Sequence, residues 1–168
     1  RLLMALAGGV ENGSIGETGT GCGVGLAWLV SGRVPGTSAV GIEDDAEMAL
    51  GAAELFEKVD DVELVWGDAV ELSELGPFDL LVLDGGPRSG GHGSPFVDPG
   101  RVLTPTGLLV IDGFARADRW PPVDHEGAPD TAREHWLAHP ALWTTEVTIA
   151  PREVPMSVLL ARRVPPGF

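Results

Sequence analysis

The chain has 168 residues, of which 43% are hydrophobic and 21% charged. That is enough apolar material for one domain with one core, and it argues against global disorder. Acids outnumber bases 25 to 11, and the net charge of −14 repels phosphate backbones and anionic membranes, so nucleic acid and membrane partners are not expected.

No apolar run reaches about 18 residues, so no membrane-spanning helix is expected. A single cysteine, Cys22, excludes an internal disulfide and a cysteine-based zinc cluster, which suits the cytoplasm. No signal-peptide pattern is visible. The chain opens inside a helix, Arg1 to Ala7, which predicts a further segment upstream.

Short β-like runs then alternate with helix-like stretches. This predicts a Rossmann-like α/β fold: a mostly parallel sheet with helices on both faces. The first strand is Ser14 to Thr18 and the first helix Gly23 to Ser31. A second strand, Ser38 to Glu43, leads into a helix over Asp45 to Lys58 that Asp44 or Asp45 can cap. Val62 to Trp66 is a third strand. Phe78 to Leu83 is a near-continuous apolar run and so a central buried strand.

Gly86 to Ser94 reads as a loop and Phe96 to Leu103 as a short helix. Leu108 to Ile111 is another buried strand, followed by a long irregular stretch, Phe114 to Pro129. Thr131 to His139 is a helix. Thr144 to Ile149 and Met156 to Arg162 are closing strands, with Pro151 between them, which suits an antiparallel pair. The tryptophans are expected mostly in the core, with Trp120 the one placed to meet a substrate.

Glycine clusters between the first strand and helix. Glu17 to Gly25 reads Glu-Thr-Gly-Thr-Gly-Cys-Gly-Val-Gly. Glycine loses the most backbone freedom on ordering, so such a cluster implies positive φ or a ligand against bare backbone. Leading into a helix, it presents N–H groups and the positive helix end to an anion. Glu43, Asp68, Asp84 and Asp112 each lie at or just past a strand's carboxyl end, the edge where open α/β sheets bind ligands.

The spacing discriminates among nucleotides. A dinucleotide site wants Gly-x-Gly-x-x-Gly, and no register of the run supplies the third glycine. A nicotinamide-dependent oxidoreductase is therefore the weaker alternative. No Gly-Lys-Ser/Thr is present, and no lysine or arginine lies between Glu17 and Gly32 to meet a polyphosphate. An acid just before the loop suits a ligand with a cationic group.

Five stretches in order carry a resemblance: Glu17 to Gly23, Gly41-Ile-Glu43, Trp66-Gly-Asp68-Ala69, Phe78 to Gly85, and Leu103 to Asp112. Together the chain resembles the class I S-adenosylmethionine-dependent methyltransferases, and among them the small bacterial O-methyltransferase-like group. The resemblance spans residues 1 to 163 and implies one methyltransferase domain over 1–168, with a seven-stranded sheet. It implies S-adenosylmethionine as cofactor, S-adenosylhomocysteine as product, and a small-molecule hydroxyl as acceptor.

It also implies roles. Gly19, Thr20, Gly21 and Gly23 would meet the methionine part, with Glu17 toward its amino end. Glu43, with Asp44 beside it, would take the ribose hydroxyls, since a carboxylate has two acceptor oxygens. Asp68 and the Ala69 N–H would meet adenine. Asp84 would lie at the methyl-transfer centre as the catalytic residue.

A related cation-dependent group holds a divalent metal with an Asp after the fourth strand and an Asp-Asn pair after the fifth. Here Asp84 and Asp112 match, but Gly113 replaces the Asn, so a metal is not favoured. That change also keeps open a cofactor-binding module of the same fold without transfer. His92, His125, His135 and His139 show no metal spacing. His135 and His139, four apart, suit the end of a helix. Cys22 is read as a loop residue and not a nucleophile. The acceptor is not legible, and a homodimer is left open.

Overall fold

The structure, a computed structural model, describes residues 1–84, 96–115, 120–124, 127–149 and 156–165. The loop expected at Gly86 to Ser94, Pro151, His92 and His125 lie outside them.

In chain order the elements are α1 (Leu2–Ala7), β1 (Ser14–Thr18), α2 (Val24–Gly32), β2 (Ser38–Glu43), α3 (Ala46–Phe56) and β3 (Val62–Trp66). A 3-10 turn (Ala69–Glu71) runs into α4 (Leu72–Leu75), followed by β4 (Phe78–Leu83). Then come α5 (Pro99–Val102), β5 (Leu103–Ala115), α6 (Thr131–Leu137), β6 (Leu142–Ile149) and β7 (Met156–Arg163).

The seven strands form one sheet in the order β3-β2-β1-β4-β5-β7-β6. The first five are mutually parallel, and β7 runs antiparallel to both β5 and β6. The connection from β1 goes to β2 on one side, while β4 lies on the other. That reversal opens a crevice above the carboxyl ends of β1 and β4, where this architecture holds ligands.

Burial follows the strand period of two. In β4, Leu80 and Val82 join Ile15, Leu26, Leu29 and Val110 in the core beneath α1 and α2. Leu81 and Leu83 join Leu109, Ile111, Trp136 and Leu159 on the opposite face. A strand buried on both faces reads as an unbroken apolar run, which is why this one was plain in the sequence.

Four expectations are corrected. β5 spans 13 residues, although Pro105 and Gly107 break its apolar pattern. Its register against β4 shifts between Phe78 and Leu80, and against β7 between Ile111 and Phe114. The helix expected from Phe96 shortens to α5, because Asp98 caps it by accepting from the Gly100 N–H at 2.8 Å.

The helical segment 69–75 was not anticipated. Its signal is Asp68-x-x-Glu71: Asp68 accepts from the Val70 N–H, and Glu71 accepts from the Asp68 N–H. Among the tryptophans only Trp136 is buried; Trp28, Trp66, Trp120 and Trp143 are exposed.

Candidate functional site at the carboxyl edge of the sheet

The glycine run crosses the crevice between β1 and α2. Gly19, Gly21 and Gly23 have φ of 64°, 54° and 84°, a region in which side chains are strained. The Gly19 and Thr20 N–H groups both reach the Ile42 carbonyl, which ties the loop to β2. Gly25 serves a different purpose. A Cβ there would lie 2.0 Å from Glu17 Oε1. The missing side chain is the space that the Glu17 carboxyl occupies.

Glu43 is buried and braces two elements. Its Oε2 accepts from the Gly21 N–H at 2.7 Å and its Oε1 from the Asp45 N–H at 3.0 Å. Asp45 in turn caps α3, accepting from Glu47 and Met48. The loop and the start of α3 are thus held through one carboxylate. A carboxylate offers about four lone-pair positions, so both oxygens retain acceptor capacity.

Glu17 is 3% exposed, the penultimate residue of β1 before the loop, opposite Gly41 and Val82 in the sheet. Burial, and then the negative Asp84 nearby, push its pKa from the ordinary 4.5 up to about 8. The Thr20 hydroxyl and the Leu26 N–H act in the opposite direction. Neither Glu17 Oε2 nor Thr20 Oγ1 has a well-aligned hydrogen-bond partner among the described residues. Thr20 turns its hydroxyl toward Gly41, where an added Cβ would meet it at 2.5 Å.

The other candidate residues surround this centre. Asp84 closes β4: its N–H donates to the Thr18 carbonyl, and its own carbonyl accepts from the Thr18 hydroxyl. Asp68 and Ala69 lie past β3, where Asp68 Oδ1 caps the 3-10 turn and the side chain stays exposed. Asp44 is exposed beyond Glu43, and its carbonyl accepts from Trp66 Nε1 at 3.1 Å. Asp112 sits in the irregularity of β5 and accepts from the Gly113 N–H, with Gly113 at φ 83°. Among the described residues no three His, Cys, Asp or Glu side chains converge as a metal set.

His135 stacks on Phe96 at 3.8 Å between ring centroids, with Trp136 edge-on at 5.0 Å. Burial and the neighbouring His139 lower its pKa. His139 lies past the end of α6, and its Nδ1 accepts from the Ala141 N–H. Both rings serve packing and helix termination. The sequence reading missed Gly25 and Gly41 as partners of Glu17 and Thr20. The fourth glycine at an alternate position was the available signal.

Solved structures share this fold. A cofactor-bound protein from MTB superposes with a TM-score of 0.76 at 23% identity, covering 96% of this chain and 78% of that one. The O-methyltransferase from Bacillus cereus in complex with SAH gives 0.75 at 19% identity, over 97% and 79%. The O-methyltransferase TomG from Streptomyces achromogenes, in complex with SAM, gives 0.73 at 20%, over 97% and 78%. The fold is that of the class I S-adenosylmethionine-dependent methyltransferases. No protein-family model and no curated protein matches the chain.

In this methyltransferase fold, the glycine loop, Glu17 and Glu43 occupy the switch point of the sheet. The donor set suits an adenosyl amino acid. It offers bare backbone on the loop, a buried carboxylate with spare acceptor positions, and a second buried carboxyl with an unsatisfied oxygen.

Proposed function

We propose that this chain, as one domain over residues 1–168, is an S-adenosylmethionine-dependent O-methyltransferase acting on a small molecule, with S-adenosylhomocysteine as product. One observation carries the reading. Two buried acids, Glu17 and Glu43, flank a glycine loop free of basic side chains, which fits a cationic adenosyl ligand and not a polyphosphate.

In this reading Gly19, Thr20, Gly21 and Gly23 form the wall against the methionine part, and Glu17 faces its ammonium. Glu43, held rigid by Gly21 and Asp45, accepts from the ribose hydroxyls, with Asp44 alongside. Asp68 and the Ala69 N–H face the adenine edge. The bound cofactor supplies a methyl group on a sulfonium. Asp84, at the crevice between β1 and β4, then orients the acceptor hydroxyl and helps take up its proton. A bacterial cytoplasmic setting is part of the proposal, supported by the single exposed Cys22 and by the source of the neighbours.

Calorimetric titration with S-adenosylmethionine and S-adenosylhomocysteine tests it; absence of heat at millimolar ligand would overturn it. Glu43→Ala should weaken binding by roughly one to two orders of magnitude, about 1.5–3 kcal/mol for hydrogen bonds to a charged group. Unchanged affinity would remove Glu43 from the ribose site.

A second reading, cofactor binding without transfer, is favoured by Gly113. The positive φ there is one that Asn tolerates, so the backbone would accept the missing ligand residue, yet the side chain is gone. It predicts cofactor binding with no methylation across a panel of hydroxylated acceptors.

A further inference from the structure

We propose that Glu17 carries a proton in the free protein and releases it when a cationic cofactor seats, so that cofactor binding is coupled to proton release. This rests on the cofactor reading above and concerns how the same site recognises positive charge.

Geometry supplies the argument. The carboxyl is almost fully buried, packed into the space that Gly25 leaves, with Oε2 unpartnered. An ionised carboxylate in such a position needs a cation or several donors. Among the described residues, the elements around it provide acids and no base. Asp84 stands at the end of β4 and Glu43 at the end of β2, while the loop 19–23 and α2 contain no charged side chain. Among the described residues, the hydroxyl of Thr20 and one N–H of the first turn of α2 favour ionisation.

Neutralisation by a proton is the inexpensive solution while the crevice holds only water. An ammonium group brought to Oε2 changes the balance. The O–H bond of Glu17 breaks, its proton goes to solvent or buffer, and the carboxylate pairs with the ligand's N–H. The burial and the Asp84 charge that hold the free carboxyl's pKa near 8 then act against the paired form far less.

The experiment is calorimetric titration of the whole chain with S-adenosylhomocysteine, whose cation is its ammonium, in two buffers of different ionisation enthalpy near pH 7. The wild type should release about one proton per ligand, with affinity tightening by up to about tenfold per pH unit toward pH 8. Glu17→Gln mimics the neutral acid in shape. It should lose that release and that slope, and the difference between the two proteins isolates Glu17 from the ligand's own amine. Wild-type binding with identical heats in both buffers overturns the coupling while leaving the cofactor reading intact. So does a Gln variant with the wild-type proton count. Absence of binding in every buffer overturns both.

Discussion

At the scale of single residues, Glu17 links stability to pH. Its folded pKa, near 8, lies above the ordinary 4.5. Between those values the unfolded chain has lost the proton that the native state keeps. The native state therefore binds more protons, and stability falls as pH rises through that window. Glu17→Gln removes the effect. Urea midpoints measured from pH 4 to 9 should show the variant gaining on the wild type by up to a few kcal/mol, with the gap closing below pH 4.5. A constant gap would show that the acid titrates normally. Gly25 and Gly51 make a paired test. Alanine at 25 drives a methyl into the Glu17 carboxyl and should reduce both stability and cofactor affinity. Alanine at 51 meets nothing within 4 Å and should stabilise α3 by about 0.5–1 kcal/mol in thermal unfolding.

At the scale of elements, Arg133 joins α6 to the ends of β5 and β6. The residue is fully buried and packs over the Phe114 ring. Its guanidinium donates to the Ala115 carbonyl at the end of β5 and faces Asp130 at 3.1 Å and Glu146 at 3.4 Å. Asp130 also caps α6 through the Arg133 N–H. Truncation leaves a buried acid without its counter-charge, so Arg133→Ala should cost about 3–5 kcal/mol in urea unfolding. A loss below about 1 kcal/mol would mean that solvent already screens the group. Elements differ in how readable they were. β2, β3 and β4 match the sequence reading residue for residue, because their apolar runs end in Glu43, Trp66-Gly67 and Asp84. β5 was cut short because proline and glycine in its first half mimic a turn, and its pairing with β4 and β7 overrides that local signal.

At the scale of the whole molecule, the surface carries the excess of acid. A net charge of −14 with a sequence pI near 4.4 adds self-repulsion to the folded state. Raising salt from a few millimolar to about 0.15 M shortens the screening length to ~8 Å and should raise the melting temperature. A melting temperature that falls or stays level would show that local attractions outweigh the repulsion. At the carboxyl edge of the sheet the same excess appears as Glu17 of β1, Glu43 of β2, Asp84 just past β4 and Asp112 of β5.

By itself the sequence determined the order of the strands and of most helices, the acids Glu43, Asp68 and Asp84 at or just past strand ends, and the glycine run with its preceding Glu17. These are local features, expressed in periodicity, capping residues and backbone freedom that neighbouring residues settle among themselves. The tertiary structure decided what those features do to one another. It put Glu17 beside Asp84, 67 residues on in the chain, and seated its carboxyl in the space left by Gly25. It also made Glu43 a brace between loop and helix, and exposed three tryptophans, Trp28, Trp66 and Trp143, that were expected in the core. Burial and charge pairing arise between residues distant in sequence, and only the assembled sheet brings them within reach.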